Sequence, residues 1–123
     1  MFDHIGLKVR DLAASIRFYE RALAPLGCKL ESSGEGYAGF GPPGAPQLWL
    51  YAHDGPITAG THVAFKASEP KAVQRFHAAG LDAGGRDNGA PGPRPDYSDD
   101  YYAAFLFDPD GHNVEAVCYA KAG

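Results

Sequence analysis

The chain has 123 residues, 45% hydrophobic and 12% aromatic, which suits a single compact domain with a buried core. Its net charge of −4 disfavours nucleic acid and anionic membranes as partners, because both select basic patches. No apolar run approaches the roughly 20 residues of a membrane helix, and the charged N-terminus lacks a signal peptide's apolar stretch. We therefore expect a cytoplasmic protein, with Cys28 and Cys118 as reduced packing residues.

An internal repeat organises the chain. DHIGLKV at 3–9 returns as THVAFKA at 61–67, and Arg17-Phe18 returns as Arg75-Phe76, both at a spacing of 58 positions (62 − 4 for the histidines). A strand and a following helix that match in register indicate two copies of one unit.

The first copy predicts one strand, one helix and three further strands. Residues 2–9 alternate as a half-buried strand should. Asp11 is a good N-cap for a helix that Pro25 and Gly27 end. Short strands separated by glycine- and proline-containing turns then follow at about 28–33, 36–41 and 46–52.

The second copy predicts the same order. It has a strand at 61–67, a helix from a Ser68 cap with Pro70 in its first turn to Gly80, and strands near 82–86, 101–107 and 112–119. The segment 85–100, rich in glycine and proline, is predicted to be a lid or binding loop. The expected fold is α+β, with two paired βαβββ modules (about 1–55 and 58–123) that form a curved, cup-like mixed sheet.

Three polar residues fall on the face of these strands that the helices leave uncovered. Alternation places His4, His62 and Glu115 there, while Val114 and Ala116 face the helix. Imidazole nitrogens and a carboxylate oxygen suit a borderline divalent ion such as Fe, Mn, Ni or Zn. Three such ligands also leave coordination positions open for a substrate. The sequence therefore predicts a metal site.

Two segments resemble the vicinal oxygen chelate superfamily of glyoxalase, bleomycin-resistance and extradiol dioxygenase proteins. DHIGLKVRDLAASIRFYERAL at 3–23 looks like the family's opening, and FLFDPDGHNVEAV at 105–117 looks like its closing strand pair. The resemblance implies a cup around a divalent metal held by His4, His62 and Glu115, and usually a homodimer. Whether the three ligands come from one chain or from two subunits stays open.

The strand at 46–52 departs from the glyoxalase branch. Those enzymes carry a glutamate there as a fourth ligand, whereas this chain reads PQLWLYA, with Trp49 expected in that place and Gln47 as a fallback ligand. Trp49 and Arg94 are predicted to bind substrate, with Arg86 as the alternative cation. Tyr102 is predicted to be catalytic beside Glu115, with Tyr101 and Tyr119 as the other candidate donors to a metal-bound oxyanion. His53, His77 and His112 lack matched partners in the repeat and are expected to be surface or packing residues.

Two functions follow from these observations. The first is a metal-dependent enzyme, a lyase, dioxygenase or thiol transferase, acting on a small oxygen-bearing substrate. The second is a metal-free protein that binds and sequesters a drug or other aromatic molecule, as in the bleomycin-resistance branch. A metal held by three side chains would separate the first from the second.

Overall fold

A computed structural model describes residues 1–120 of the chain. The first module contains β1 (Ile5–Val9), α1 (Leu12–Leu23), a short 3-10 turn (Ala24–Leu26), β2 (Lys29–Gly34), β3 (Tyr37–Gly41) and β4 (Leu48–Ala52). The second contains β5 (His62–Lys66), α2 (Pro70–Asp82), β6 (Arg86–Pro93), β7 (Tyr101–Phe107) and β8 (Asn113–Tyr119). The predicted α+β fold of two βαβββ modules is confirmed. The last three residues of the second predicted module lie outside the described part.

Each module forms one four-stranded mixed sheet, and the two sheets share one topology. The strand orders are β1-β4-β3-β2 and β5-β8-β7-β6. In each sheet the first strand pairs in parallel with the last, and the other pairings are antiparallel. Among residues 1–120 no ladder joins the two sheets, so β1 and β5 each have an unpaired edge. The repeat seen in the sequence is therefore a repeat of structure.

The two helices hold the modules together. Asp11 caps α1 by accepting a hydrogen bond from the backbone N–H of Ala14 at 3.1 Å. Phe18 projects from α1 and is fully buried. A Cβ atom at Gly80 of α2 would lie 2.3 Å from the Leu106 side chain and 3.3 Å from the Phe18 ring, so glycine lets α2 pack closely against both. No helix of the described residues is long and apolar enough to cross a membrane.

A buried hydrogen bond also crosses between the modules. The hydroxyl of Tyr19 in α1 donates to Asp108 Oδ2 at 2.5 Å, and both residues are almost fully buried. The other oxygen of Asp108 accepts from the backbone N–H groups of Asp110 and His112, which shapes the β7–β8 turn. The turn that precedes Glu115 is therefore fixed against the first helix.

Two local predictions were wrong. Glu69, and not Ser68, precedes α2, and it makes no side-chain capping bond. The predicted lid is partly a strand, because β6 occupies residues 86–93. This strand lies at the edge of its sheet and shifts register twice against β7, between Asp87 and Gly89 and between Gly89 and Gly92. Prolines and glycines are tolerated at such an edge, since a missing N–H or a bulge breaks no inner ladder.

Candidate functional site

Glu115 and His62 meet on the open face of the second sheet, the face turned away from α2. Val114 and Ala116 belong to the helix-side core, so Glu115 between them points to the open face. The Glu115 side chain is 2% exposed, and its Oε1 lies 2.7 Å from Nε2 of His62. Tyr101 donates a hydrogen bond from its hydroxyl to the other oxygen, Oε2. The carboxylate is therefore held at both oxygens.

The surroundings of Glu115 suit a divalent cation. A buried carboxylate is costly unless it is paired or bound to a cation. Within residues 1–120 the side-chain partners of Glu115 are an imidazole and a phenol. His62 is about half exposed, so a solvent path reaches the pair. Burial and then the hydrogen bond to Glu115 raise the pKa of Tyr101 well above its usual value, so Tyr101 stays a neutral donor. One nitrogen and one oxygen ligand thus converge where an ion could sit.

His4 does not join this pair within the chain. It lies one residue before β1, half exposed, with Nδ1 2.7 Å from the Asp3 carboxylate. In residues 1–120 no three histidine, cysteine or acidic side chains come close enough to hold an ion together. The structure therefore brings two of the three predicted ligands together and leaves His4 apart.

Trp49 occupies in the first module the place that Glu115 occupies in the second. Trp49 pairs with Gly6 on β1, and Glu115 pairs with Ala64 on β5, which is the repeat partner of Gly6. Gln47 lies two positions earlier and lines a cavity of about 200 Å³ together with His4. The first sheet thus presents an indole where the second presents a carboxylate.

The open face of the first sheet carries an aromatic platform. Three rings rest on glycines: Tyr51 on Gly6, Trp49 on Gly39 and Tyr37 on Gly34. A Cβ atom at any of these glycines would lie 3.0 Å or less from the ring above it, so the rings need bare backbone beneath them. The Tyr37 and Trp49 rings are tilted neighbours with centroids 6.3 Å apart. The face offers flat apolar surface to a ligand.

The structure does not bring Tyr102 to Glu115. Tyr102 pairs with Cys118 and belongs to the helix-side core, where its hydroxyl accepts a hydrogen bond from Gln74 of α2 at 2.9 Å. The tyrosine on the open face is its neighbour Tyr101, which pairs with Tyr119. Sequence reasoning included Tyr101 among the candidate donors but preferred Tyr102, so it did not identify Tyr101 as the partner of Glu115. The alternation of Ala104 and Leu106 on the helix side was the signal that could have found it.

Arg94 lies beside Phe105, which pairs with Glu115 on the open face of the second sheet. Its guanidinium is 5.4 Å from the ring centroid of Phe105, whose ring lies 6.2 Å from the ring of His62. Its N–H groups donate to the carbonyl oxygens of Ala90 and Gly92. Arg94 therefore organises the bulged end of β6.

Comparison with known proteins agrees with this architecture. Residues 1–116 match the Glyoxalase/Bleomycin resistance protein/Dioxygenase superfamily. A glyoxalase/bleomycin resistance protein from Albidiferax ferrireducens is 31% identical with a TM-score of 0.83, covering 95% of this chain and 97% of its own. No functionally curated protein matches the chain.

More distant structures share the fold. A glyoxalase/bleomycin resistance protein/dioxygenase family enzyme from Burkholderia phytofirmans has 16% identity and a TM-score of 0.74, covering 95% of this chain and 97% of its own. A glyoxalase-related enzyme from Fulvimarina pelagi has 20% identity and a TM-score of 0.72, with coverage of 92% and 84%. The sequence match over nearly the whole chain shows that this protein belongs to the glyoxalase/bleomycin resistance protein/dioxygenase superfamily.

Proposed function

We propose that the protein is a divalent-metal-dependent enzyme acting on a small oxygen-bearing substrate, by lyase, dioxygenase or thiol-transfer chemistry. The observation that supports this proposal most is the buried Glu115 carboxylate. His62 Nε2 lies 2.7 Å from one of its oxygens, and the Tyr101 hydroxyl donates a hydrogen bond to the other. His62 and Glu115 would hold the ion, together with His4. The ion, when bound, would polarise a substrate oxygen and stabilise negative charge that develops on it.

The chain's own residues have separate tasks around that ion. Tyr101 fixes the orientation of Glu115, as outer hydrogen-bond partners of metal ligands commonly do. Phe105 and Arg94 wall the side next to His62 and present apolar surface and positive charge to the substrate. Together these groups favour a small ligand that carries an oxygen anion or develops one.

We place His4 of a second copy of the chain as the third ligand. The support is that His4 lies apart from His62 and Glu115 within one chain, while both sheets present an unpaired edge strand. A symmetric dimer in which module 1 of each chain faces module 2 of the other would build two equal sites. The aromatic platform of one chain, with Trp49 at its centre, would then form the wall opposite Glu115.

The test is the metal content of the purified protein. We expect about one divalent ion per chain in the wild type after supply of Fe, Mn, Ni or Zn, and loss of that ion in Glu115→Gln. Glu35→Gln, which removes one negative charge from an exposed turn, is the matched control and should keep the metal. Absence of metal from correctly folded wild-type protein under every supply would overturn the proposal.

The second candidate function is metal-free binding of a planar aromatic molecule. The platform of three rings on glycine favours it, since stacking surface of this kind needs no metal. Trp49 is the only tryptophan, so its fluorescence reports a ligand on the platform directly. Saturable quenching by naphthol in wild-type protein that takes up no metal would favour this function over the first.

A further inference from the structure

A second cavity lies between β1 and the linker that joins the two modules. Its volume is about 350 Å³, within the range of small-ligand pockets. Polar side chains from three separate parts of the chain line it: Lys8 of β1, His53, Thr58 and Thr61 of the linker, and His112 of the β7–β8 turn. None of these residues takes part in the metal centre proposed above.

The ionisable side chains that line this cavity are all basic. Its ionisable residues are one lysine and two histidines. Among residues 1–120 no carboxylate side chain lines it, although the chain as a whole carries a charge of −4. The hydroxyls of Thr58 and Thr61 add donors, and the remaining lining is largely apolar, from residues such as Ile5 and Pro56. A cationic, donor-rich end beside an apolar wall matches an oxyanion attached to a small apolar body.

His112 gives an independent indication of a ligand. The residue is 3% exposed, and neither ring nitrogen has a hydrogen-bond partner within residues 1–120. Its backbone is fixed, because its N–H donates to Asp108 Oδ1 and its carbonyl accepts from the N–H of Asp108. A buried imidazole without any partner is costly and calls for an explanation. A bound ligand that forms a hydrogen bond with the ring of His112 would provide that partner.

We infer that this cavity binds a small organic anion, a carboxylate or a phosphate ester, at the joint between the modules. Lys8 supplies the positive charge, and Thr58, Thr61 and the turned ring of His112 donate to the oxyanion. The linker residues 53–61 that line the cavity form neither helix nor strand. The ligand bridges β1, the linker and the β7–β8 turn, and so stabilises the folded arrangement of both modules.

The repeat offers a matched pair of variants to test the site. Lys66 is the repeat partner of Lys8, is likewise exposed and lines the other cavity. Thermal unfolding of metal-free protein is measured with inorganic phosphate or butyrate, at constant ionic strength against sodium chloride. We expect wild type and Lys66→Gln to gain about 5 °C in Tm, saturably, at roughly ten times Kd. Lys8→Gln should lose most of that gain. Equal gains in the two variants, or a gain without saturation in wild type, would overturn the inference.

A second readout locates the ligand. The chain has five histidines, so the imidazole signals in NMR can be assigned by single substitutions. We expect the probe anion to shift the His112 and His53 signals and to leave His4 and His77 unchanged. A response to phosphate alone identifies a phosphate ester as the ligand class, and a response to butyrate alone identifies a carboxylate. Shifts confined to His4 or His62 would place the anion elsewhere and contradict the inference.

Discussion

Two tyrosines adjacent in sequence point to opposite faces of β7 and so have different partners. Tyr101 donates to Glu115, and Tyr102 accepts from Gln74 on the helix side. The phenol of Tyr101 orients the buried carboxylate. If the proposed metal centre exists, the Tyr101→Phe variant should bind a divalent ion about 10–100-fold more weakly. Tyr102→Phe removes a phenolic hydroxyl from the opposite face of the same strand and should leave metal affinity unchanged. Competition with a chromophoric chelator measures both, and equal affinities for the two variants would contradict the assigned role of Tyr101.

Asp87 of β6 shows how a surface carboxylate contributes to stability only in its charged form. The backbone N–H of Gly89 and the ring of His77, 2.9 Å away, lower the pKa of Asp87 below its usual 3.8. A lowered folded pKa stabilises the protein above the unfolded pKa, and that contribution is lost as pH falls through the folded pKa. Asp87→Asn should therefore be less stable than wild type at pH 7.

The difference between Asp87→Asn and wild type should shrink as the pH is lowered below about 3.8, where the wild-type carboxyl also becomes neutral. Chemical denaturation at pH 7, 5 and 3 measures the free energy of unfolding of both proteins. Asp99→Asn, on an exposed loop, controls for the loss of one negative charge. A difference that does not change with pH would show that the charge of Asp87 is irrelevant.

The sequence predicted the pairing of His62 with Glu115 but not its hydrogen-bond partners. Period-2 alternation along β5 and β8 is enough to choose a face, and it chose the correct one for both residues. Choosing between Tyr101 and Tyr102 required the same alternation along β7, where Ala104 and Leu106 mark the helix side. The position of His4 could not be predicted, because it depends on how whole modules pack.

At the scale of elements, a buried polar contact joins α1 to the β7–β8 turn. Tyr19 donates to Asp108 across the module boundary. Tyr19→Phe keeps the ring and leaves one oxygen of a buried carboxylate without its donor. We expect a loss of about 1–3 kcal/mol in the free energy of unfolding.

Urea denaturation measures this loss as a lower midpoint with an unchanged slope. Tyr51→Phe is the control, because its ring is largely exposed and its hydroxyl makes no recorded side-chain bond in the described residues. That variant should unfold like wild type. Equal midpoints for both variants would show that the contact between Tyr19 and Asp108 does not join the modules energetically.

Some elements were predicted correctly from the sequence and others were not. They differ in how far local sequence signals define them. Helix α1 begins after Asp11 as expected, since one capping side chain and one apolar stripe define it. Strand β6 lies within the segment predicted to be a lid. The prediction was partly wrong because glycine and proline disrupt the interior of a sheet but are tolerated at its edge. Local composition cannot reveal that a strand is at an edge, since this follows from the order of strands in the sheet.

At the scale of the whole molecule, the repeat predicts two modules but not which modules face each other. Each sheet buries one face under the helix of its own module. This burial is the same whichever module faces the open side of the sheet. The structure shows the helices of one chain in contact and the two sheets without a shared ladder. In the proposed dimer the open faces would pair between chains, and the proposed metal centre would report on that pairing.

Mixing two variants that each lack one proposed metal ligand tests whether the proposed metal centre is shared between chains. If His4 of one chain completes the site of His62 and Glu115 of another, His4→Ala and Glu115→Ala each lack metal as homodimers. A mixed dimer then has one doubly damaged site and one intact site. After unfolding and refolding the variants together, about one site in four should hold metal, because half of the dimers are mixed. Separately refolded variants, combined afterwards on ice, are the control for slow exchange. If all three ligands came from one chain, no mixture could restore a site, and the metal content would stay at the level of the separate variants.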